Sequence, residues 1–385
     1  MESDLPPWVW PRGAYVHVPF CAHHCGYCDF AVATGQDHAI DRYIQALGME
    51  LARLGQPQPV QTLFLGGGTP TYLDGRQLQN LLELVLRWLP LASDQEFSVE
   101  ANPGTLTADK IAVLADHGVN RISLGAQSFH AHLLTILERD HQPDDVPQAM
   151  ERIRKRIANV SLDLIFGVPG QTPGEWETDL DRALSLQPAH LSTYGLTYEK
   201  GTRLWKQQRQ GEVQALDEEA ELAMYLLAMD RLEEAGFEHY EISSFAMPGF
   251  RCRHNQVYWA NEAYFGFGMG AAAYVRGRRT LNTRDLQTYL HRALAAESCV
   301  FQEEELPPEE RARETMLLNL RRADGIDRQA FRNQTGFDVD ELAGPALRNQ
   351  IDLGLFEDDG KRIRLTRRGK CVADAVIAEV MKVPF

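Results

Sequence analysis

Three of the six cysteines lie close together in the sequence, at Cys21, Cys25 and Cys28. Their C-x3-C-x2-C spacing puts three thiolates on one short loop, directly after a predicted strand. Three thiolates can bind three irons of an iron–sulfur cube and leave the fourth iron without a protein ligand. The spacing therefore favours a four-iron four-sulfur cluster whose open iron can bind a small molecule.

A zinc ion is the alternative occupant of this loop. Zinc in proteins takes four ligands, and His17, His23 or His24 could supply the one that the cysteines leave open. No second CxxC pair occurs elsewhere, which weakens the zinc-ribbon interpretation. The loop alone leaves both metals open.

Further polar residues occur at or just after the ends of predicted strands and, in the case of Asp163, within one. They are the turn Gly66-Gly67-Gly68-Thr69-Pro70 and the side chains of Glu100, Gln127, Asp163 and Thr197. Because the carboxyl ends of strands in a β/α barrel open on one face, we expect these residues to share a site with the cysteine loop. The glycine triplet would let a ligand approach the backbone closely. It is not a phosphate loop, since the Gly-Lys-Ser/Thr ending is missing.

The elements that would position this site alternate along the chain. Apolar runs predict strands at 14–18, 62–65, 96–100, 121–124, 160–166 and 190–194. Helical periodicity predicts helices at 40–54, 78–89, 108–117, 147–157 and 173–186. Strand followed by helix, about six times, predicts an α/β fold with a parallel sheet and crossover helices.

After a long predicted helix at 217–235 and a strand-like run at 239–243 the alternation stops. We predict a partial (β/α)6 barrel at 10–245, a connecting segment at 246–300 and a smaller, mainly helical domain at 301–385. Helices followed by a hairpin-like stretch at 353–365 suggest a winged-helix-like C-terminal domain.

Composition restricts the classes of partner. The 39 basic and 54 acidic residues give a net charge of −15, which argues against nucleic acid. No apolar stretch reaches the roughly 18 residues of a spanning helix, and the acidic, proline-rich opening does not resemble a secretory signal. We expect a cytoplasmic protein, in which clustered cysteines serve metal or redox chemistry.

Together these motifs resemble the radical S-adenosylmethionine proteins. The resemblance rests on the cysteine loop, GGGTP at 66–70, EANP at 100–103, RISLGAQSF at 121–129 and DLIFGVPGQT at 163–172. It is closest to the oxygen-independent coproporphyrinogen III oxidase-like group, and it runs from about Tyr15 into the C-terminal domain. It implies a TIM-like partial barrel and a C-terminal domain of the oxidase (HemN) type.

The resemblance also implies the cofactors and their residues. The three cysteines would hold a four-iron four-sulfur cluster whose open iron binds S-adenosylmethionine. Positions that contact this molecule in the family match Tyr15, Gly68 and Glu100. Positions that contact a second S-adenosylmethionine in the oxidase match Tyr27, Thr69, Gln127, Arg139, Asp163 and Thr197.

Two branches of the group differ at positions that this sequence contains. The oxidase decarboxylates two propionates of coproporphyrinogen III and usually carries a fourth cysteine two residues after the third, where this chain has Phe30. The branch of heme chaperones lacks that cysteine and carries an HNxxYW motif, found here as His254, Asn255, Tyr258 and Trp259. Imidazole is a common axial ligand of heme iron, and flanking aromatic rings could stack on the macrocycle.

We therefore predict a heme chaperone that delivers heme to an acceptor, such as a respiratory hemoprotein. The alternatives are coproporphyrinogen III dehydrogenase and a zinc-stabilised interaction protein. Cys252 is a rival heme ligand, whereas Cys299 and Cys371 are predicted to be structural. The glycine-rich stretch at 265–274 is predicted to be a loop near the site.

Overall fold

The computed structural model describes residues 4–381, in which strands and helices alternate as far as the middle of the chain. The strands are β1 Gly13–Val18, β2 Phe20–Cys21, β3 Ala33–Thr34, β4 Val60–Gly67, β5 Leu91–Ala101, β6 Arg121–Gln127, β7 Asn159–Phe166, β8 His190–Gly195, β9 Glu238–His239, β10 Ser244–Ala246, β11 Tyr264–Phe267, β12 Ala272–Val275, β13 Arg278–Asn282, β14 Val300–Glu305, β15 Ile326–Asp327, β16 Phe356–Asp358 and β17 Arg362–Leu365.

The helices cover the sheet and form most of the C-terminal region. They are α1 Ile40–Ala52, α2 Gly75–Trp88, α3 Ala108–Asp116, α4 Ala131–Ile136, α5 Asp145–Arg154, α6 Pro173–Ser185, α7 Arg203–Gln210, α8 Glu218–Glu234, α9 Arg253–Trp259, α10 Leu286–Leu294, α11 Pro308–Leu320, α12 Arg328–Thr335, α13 Val339–Asp352, α14 Arg367–Cys371 and α15 Ala373–Met381. No helix within residues 4–381 is both long and apolar enough to cross a membrane.

One large sheet organises the first three quarters of the chain. Its strand order is β14-β13-β12-β11-β1-β4-β5-β6-β7-β8-β10-β9. All neighbouring strands from β11 to β8 are parallel. The six predicted strands are β1 and β4 to β8, so the predicted α/β fold with a large parallel sheet is confirmed.

A seventh parallel strand comes from a segment for which no strand was predicted. β11 pairs with the outer edge of β1, with Gly13 opposite Tyr264. Strands β12 to β14 then extend the sheet in antiparallel fashion. The prediction of a loop at 265–274 is therefore wrong for residues 265–267, which lie in β11, and for residues 272–274, which lie in β12. Residues 246–300 extend the sheet as well as connecting two regions.

The strand-like run at 239–243 is also corrected. Only His239 lies in a strand, β9, and β10 begins at Ser244, so residues 240–243 form the turn between these two short antiparallel strands. Tyr240 and Glu241 in this turn are both buried.

The C-terminal region has its own core. Met316, Phe331, Leu347 and Val376 are among the buried residues that pack together there. The helices α11 to α15 surround a three-stranded sheet in the order β15-β17-β16, and β16 and β17 form the predicted hairpin. This confirms a mainly helical C-terminal domain, whose last four predicted residues lie outside the described part of the chain.

The inner face of the parallel sheet is lined by small polar side chains. The register aligns Glu100, Ser123, Ser161 and His190 across β5 to β8. These side chains are buried or nearly so. The apolar residues that alternate with them along each strand face the helices. A buried polar interior of this kind provides hydrogen-bonding groups for a bound molecule.

Candidate functional site

The cysteine loop leaves β1 at the carboxyl edge of the sheet. β2 and β3 pair in parallel and hold the two ends of the loop together, with Cys21 opposite Thr34. Cys21, Cys25 and Cys28 line one cavity of about 410 Å³. Burial raises the pKa of Cys21 to about 11 and that of Cys28 to about 12, so both thiols hold their protons at neutral pH without a metal, and metal binding would release them.

The three thiols do not converge on one point. Within residues 4–381, one set of three histidine, cysteine or acidic side chains has all its ligand atoms within 4.8 Å of one another. That set is His130, His132 and Glu175, so the three thiols of the cysteine loop lie farther apart than this. A tetrahedral zinc ion needs ligand atoms closer than the thiols lie, because each is only about 2.3 Å from the metal. A cube places each thiolate on a different iron and therefore fits the wider spacing.

The histidines proposed as zinc ligands have other partners. His17 donates from Nε2 to the carbonyl of Ala31 at 2.8 Å and accepts at Nδ1 from the hydroxyl of Tyr15 at 2.9 Å. His24 donates to the carbonyl of Cys28 at 2.9 Å. The surroundings of the loop thus favour the cluster over zinc.

The glycine triplet allows close packing within this chain, and Gly67 and Gly68 also line the cavity of the cysteine loop, so the close approach of a ligand to this backbone stays a prediction. A Cβ on Gly67, whose φ is +99°, would lie 2.1 Å from Cε1 of His17. A Cβ on Gly68 would lie 2.5 Å from the carbonyl oxygen of Val18. Both contacts are within this chain, between the end of β4 and the start of the cysteine loop.

This contact predicts a combined defect for Gly68→Val. The valine would push the backbone of Val18 and Pro19 away, so we expect iron content and S-adenosylmethionine affinity to fall together. Iron analysis and calorimetry on the same anaerobic preparation would measure both, with Thr69→Ser as a control that adds no atoms. Full iron content with no S-adenosylmethionine binding would contradict this prediction.

Glu100 ends β5 where the two cavities of the site meet. Its Oε2 accepts a hydrogen bond of 2.8 Å from the backbone N–H of Gly67. Burial and, to a lesser degree, the nearby Asp163 carboxylate raise the pKa of Glu100 to about 7, although the Gly67 hydrogen bond opposes them. The carboxylate can accept hydrogen bonds from ammonium or hydroxyl groups of a ligand, as expected for a S-adenosylmethionine contact.

The structure brings most of the predicted S-adenosylmethionine residues onto the first cavity. They are Tyr27, Gly68, Thr69, Glu100, Gln127, Arg139, Asp163 and Thr197. Tyr15 instead lines the second cavity, beside His17. The side chains therefore assemble around one space from loops that are far apart in sequence.

Two of these residues have unusual local structure. Gln127 has a φ of +64°, at a point where the register between β6 and β7 shifts. A non-glycine residue in this conformation is strained, and such strain often accompanies a functional site. Arg139 donates to the carbonyl of Gly125 at 2.9 Å and approaches the sulfur of Cys25 at 3.5 Å, which places a positive charge beside the cluster loop.

A second cavity of about 490 Å³ adjoins the first and shares Glu100, Asp163, Tyr194 and Phe30 with it. Phe30 is 58% exposed and lines both spaces. Sequence reasoning missed Tyr194, although its place at the end of β8 and on the same face as Ser192 could have indicated it.

His254 faces this second cavity from helix α9. It is only 1% exposed, and its Nε2 lies 2.7 Å from the hydroxyl of Tyr258 while its Nδ1 lies 3.0 Å from that of Thr62. Burial, with the positive charge of Arg121, lowers the pKa of His254 to about 3. The ring is thus neutral, as a metal ligand must be, but both nitrogens have partners.

Glu96 holds α9 in place, and no sequence signal pointed to it. Its two carboxylate oxygens accept from the backbone N–H groups of Arg253 at 2.9 Å and His254 at 3.0 Å. The thiol of Cys252 also donates to it, at 3.6 Å. A carboxylate at a helix amino terminus stabilises the helix, so Glu96 fixes the position of His254.

The other residues of the HNxxYW motif face in different directions. Asn255 and Tyr258 line the second cavity with His254. The indole of Trp259 instead lies under the guanidinium of Arg321, 5.4 Å from ring centre to charge, and so contacts the C-terminal domain. Neither Trp259 nor Cys252 is among the residues that line the two cavities.

Comparisons with known proteins define the class. Residues 15–183 match the family model described as the radical SAM superfamily, and residues 306–372 match that of the HemN C-terminal domain. The solved structure of coproporphyrinogen III oxidase (HemN) from Escherichia coli superposes with a TM-score of 0.85 at 23% identity, over 97% of this chain and 91% of that chain. The chain has the fold of a radical SAM protein with a HemN-type C-terminal domain.

Curated relatives narrow the class. Heme chaperone HemW of Bacillus subtilis is 39% identical over 372 residues, which are 95% of this chain and 98% of the relative. Heme chaperone HemW of Escherichia coli is 32% identical and covers 95% and 97% of the two chains. The chain belongs to the HemW family, which confirms the resemblance seen in its motifs.

Proposed function

We propose that this protein is a heme chaperone that binds one heme, a four-iron four-sulfur cluster and S-adenosylmethionine, and transfers the heme to an acceptor hemoprotein. The observation that carries the proposal is the position of His254: a neutral imidazole lines a cavity that shares residues with the cavity of the cluster cysteines. The names of the curated relatives support the same cargo.

In this proposal Cys21, Cys25 and Cys28 hold the cluster, and the residues around the first cavity bind S-adenosylmethionine. A bound cluster supplies electrons to the sulfonium of that molecule, which is the chemistry its fold class provides. Glu100 and Arg139, which line the same cavity, would orient and neutralise charged groups of the bound molecule. The second cavity receives the heme, and Tyr258 must release Nε2 of His254 before this nitrogen can bind iron.

A second candidate function is coproporphyrinogen III dehydrogenase. It is favoured by the six residues matching the second S-adenosylmethionine of the oxidase, all of which line the first cavity. Against it stands Phe30, whose apolar side chain occupies the position of the oxidase's fourth cysteine and cannot bind iron or exchange protons.

We predict heme binding without porphyrinogen turnover. Anaerobically reconstituted protein with S-adenosylmethionine and a reductant should shift the Soret band of added heme, and it should leave coproporphyrinogen III intact over many hours. Absorption spectra and chromatography of the porphyrins would measure the two properties. Formation of protoporphyrinogen would reject the chaperone in favour of the dehydrogenase.

Iron and sulfide analysis separates both candidates from the zinc-stabilised interaction protein, which would contain zinc and no sulfide. The acceptor is proposed to be a protein of the cytoplasm or of the cytoplasmic side of a membrane. The acidic charge of the chain continues to argue against a nucleic-acid partner.

A further inference from the structure

Arg121 is a buried cation with unused hydrogen-bond donors. It is the first residue of β6 and only 2% exposed, and its Nε and Nη1 have no hydrogen-bond partner. A guanidinium stays charged in proteins, and leaving its buried N–H groups unpaired is costly. A bound ligand that accepts hydrogen bonds from these N–H groups would remove that cost.

The acidic neighbours of Arg121 use their oxygens elsewhere. Glu96 accepts from the backbone of Arg253 and His254 at the start of α9. Asp163 accepts from the hydroxyl of Ser123 at 3.0 Å. Both carboxylates balance the charge of Arg121 at a distance, but neither is hydrogen-bonded to its Nε or Nη1.

Arg121 also lines the second cavity, together with His254 and Tyr258. The planar fork of a guanidinium matches the two oxygens of a carboxylate, which makes arginine the preferred partner for that group. The cavity thus combines a potential iron ligand with a carboxylate receptor. A heme carries its iron at the centre and two propionate carboxylates on one edge.

We propose that Arg121 binds a propionate of the heme in the second cavity and thereby selects its orientation relative to His254. This inference rests on the proposed function, because it assigns the cargo of that function to a particular anchor. Arg121 is a binding residue in this scheme and takes no part in electron transfer.

Heme dimethyl ester tests the proposal without any change to the protein. The ester keeps the iron and the macrocycle but removes both carboxylates. We expect wild-type reconstituted protein to bind heme roughly 10- to 100-fold more tightly than the ester, the range for a charge-assisted hydrogen bond. Both porphyrins would be presented in the same detergent and titrated by their Soret bands.

The variant Arg121→Met keeps the length of the side chain and removes the donors. It should bind heme as weakly as it binds the ester, so that the preference disappears. Arg121→Lys is the matched control: it keeps the charge but loses the fork, and it should retain part of the preference. Iron content and thermal unfolding of each variant report whether the barrel and cluster are intact.

The outcomes are distinguishable. Equal binding of heme and ester by the wild-type protein overturns this inference and leaves the chaperone function in place, whether or not Arg121→Met folds. Equal losses for heme and ester in a folded Arg121→Met protein assign Arg121 a packing role and also overturn it. A fall in S-adenosylmethionine affinity with unchanged heme preference would assign the carboxylate to that molecule instead. No heme binding by the wild-type protein would reject both the proposed function and this inference.

Discussion

Replacing any one of Cys21, Cys25 and Cys28 by alanine is expected to abolish the cluster. The reconstituted wild-type protein should contain about four irons per chain, and each variant close to none, because two thiolates cannot hold a cube that already lacks one protein ligand. The visible absorption of the cluster should disappear with the iron. Iron and sulfide analysis after anaerobic reconstitution would measure this effect.

The chain provides matched controls for this experiment. Cys299 is buried in the main core, and Cys371 lies in α14, where its thiol donates to the carbonyl of Arg367. Alanine at either position should leave the iron content unchanged. A variant at Cys25 that kept both iron and spectrum would show that the ligand set is different.

The second large effect is expected at His254. His254→Ala should remove the Soret shift of bound heme and weaken heme binding at least tenfold, about 1.4 kcal/mol or more, while the cluster stays intact. Tyr258→Phe should act in the opposite direction. It removes the hydroxyl that lies 2.7 Å from Nε2, so the ligand nitrogen no longer has to break a hydrogen bond before it binds iron.

Two further variants test the assignment to this nitrogen. Trp259→Phe should leave the heme spectrum unchanged, because the indole contacts Arg321 and not the second cavity. Cys252→Ala should also preserve it, since the thiol donates to Glu96. If the wild-type protein instead gave the heme spectrum of a thiolate ligand, and Cys252→Ala lost it, the iron ligand would be Cys252 and not His254.

Much of the site could be predicted from the sequence because the strands and the loops after them have different residue patterns. Apolar runs located the six parallel strands, and polar residues directly after them located the edge at which the site forms. Gln127 and Thr197, which line the first cavity, were selected for this reason and also by the family resemblance. The alternation of side chains along β8 would also have indicated Tyr194, which is two residues after Ser192 and therefore on the same face.

The parts that escaped prediction depend on contacts between distant segments. β11 has four residues and includes Gly266, at which a Cβ would lie 1.8 Å from the carbonyl oxygen of Ala272. Its pairing with β1 and β12 makes this glycine-rich stretch a strand. In the same way, the HNxxYW motif does not reveal that Glu96 anchors its helix, or that His254 is buried with both nitrogens occupied.

The position of β11 beside β1 imposes an order on assembly at the ribosome. The residues lining the first cavity all lie between positions 21 and 199, whereas the second cavity also requires residues up to Arg284. At roughly 5–20 residues per second, the ribosome completes these two sets several seconds or more apart. During that interval β1 has an unpaired outer edge, which other chains could join. All residues lining the first cavity are thus synthesised before the last of those lining the second cavity, so a nascent chain has its three cluster cysteines before it has the complete proposed heme site.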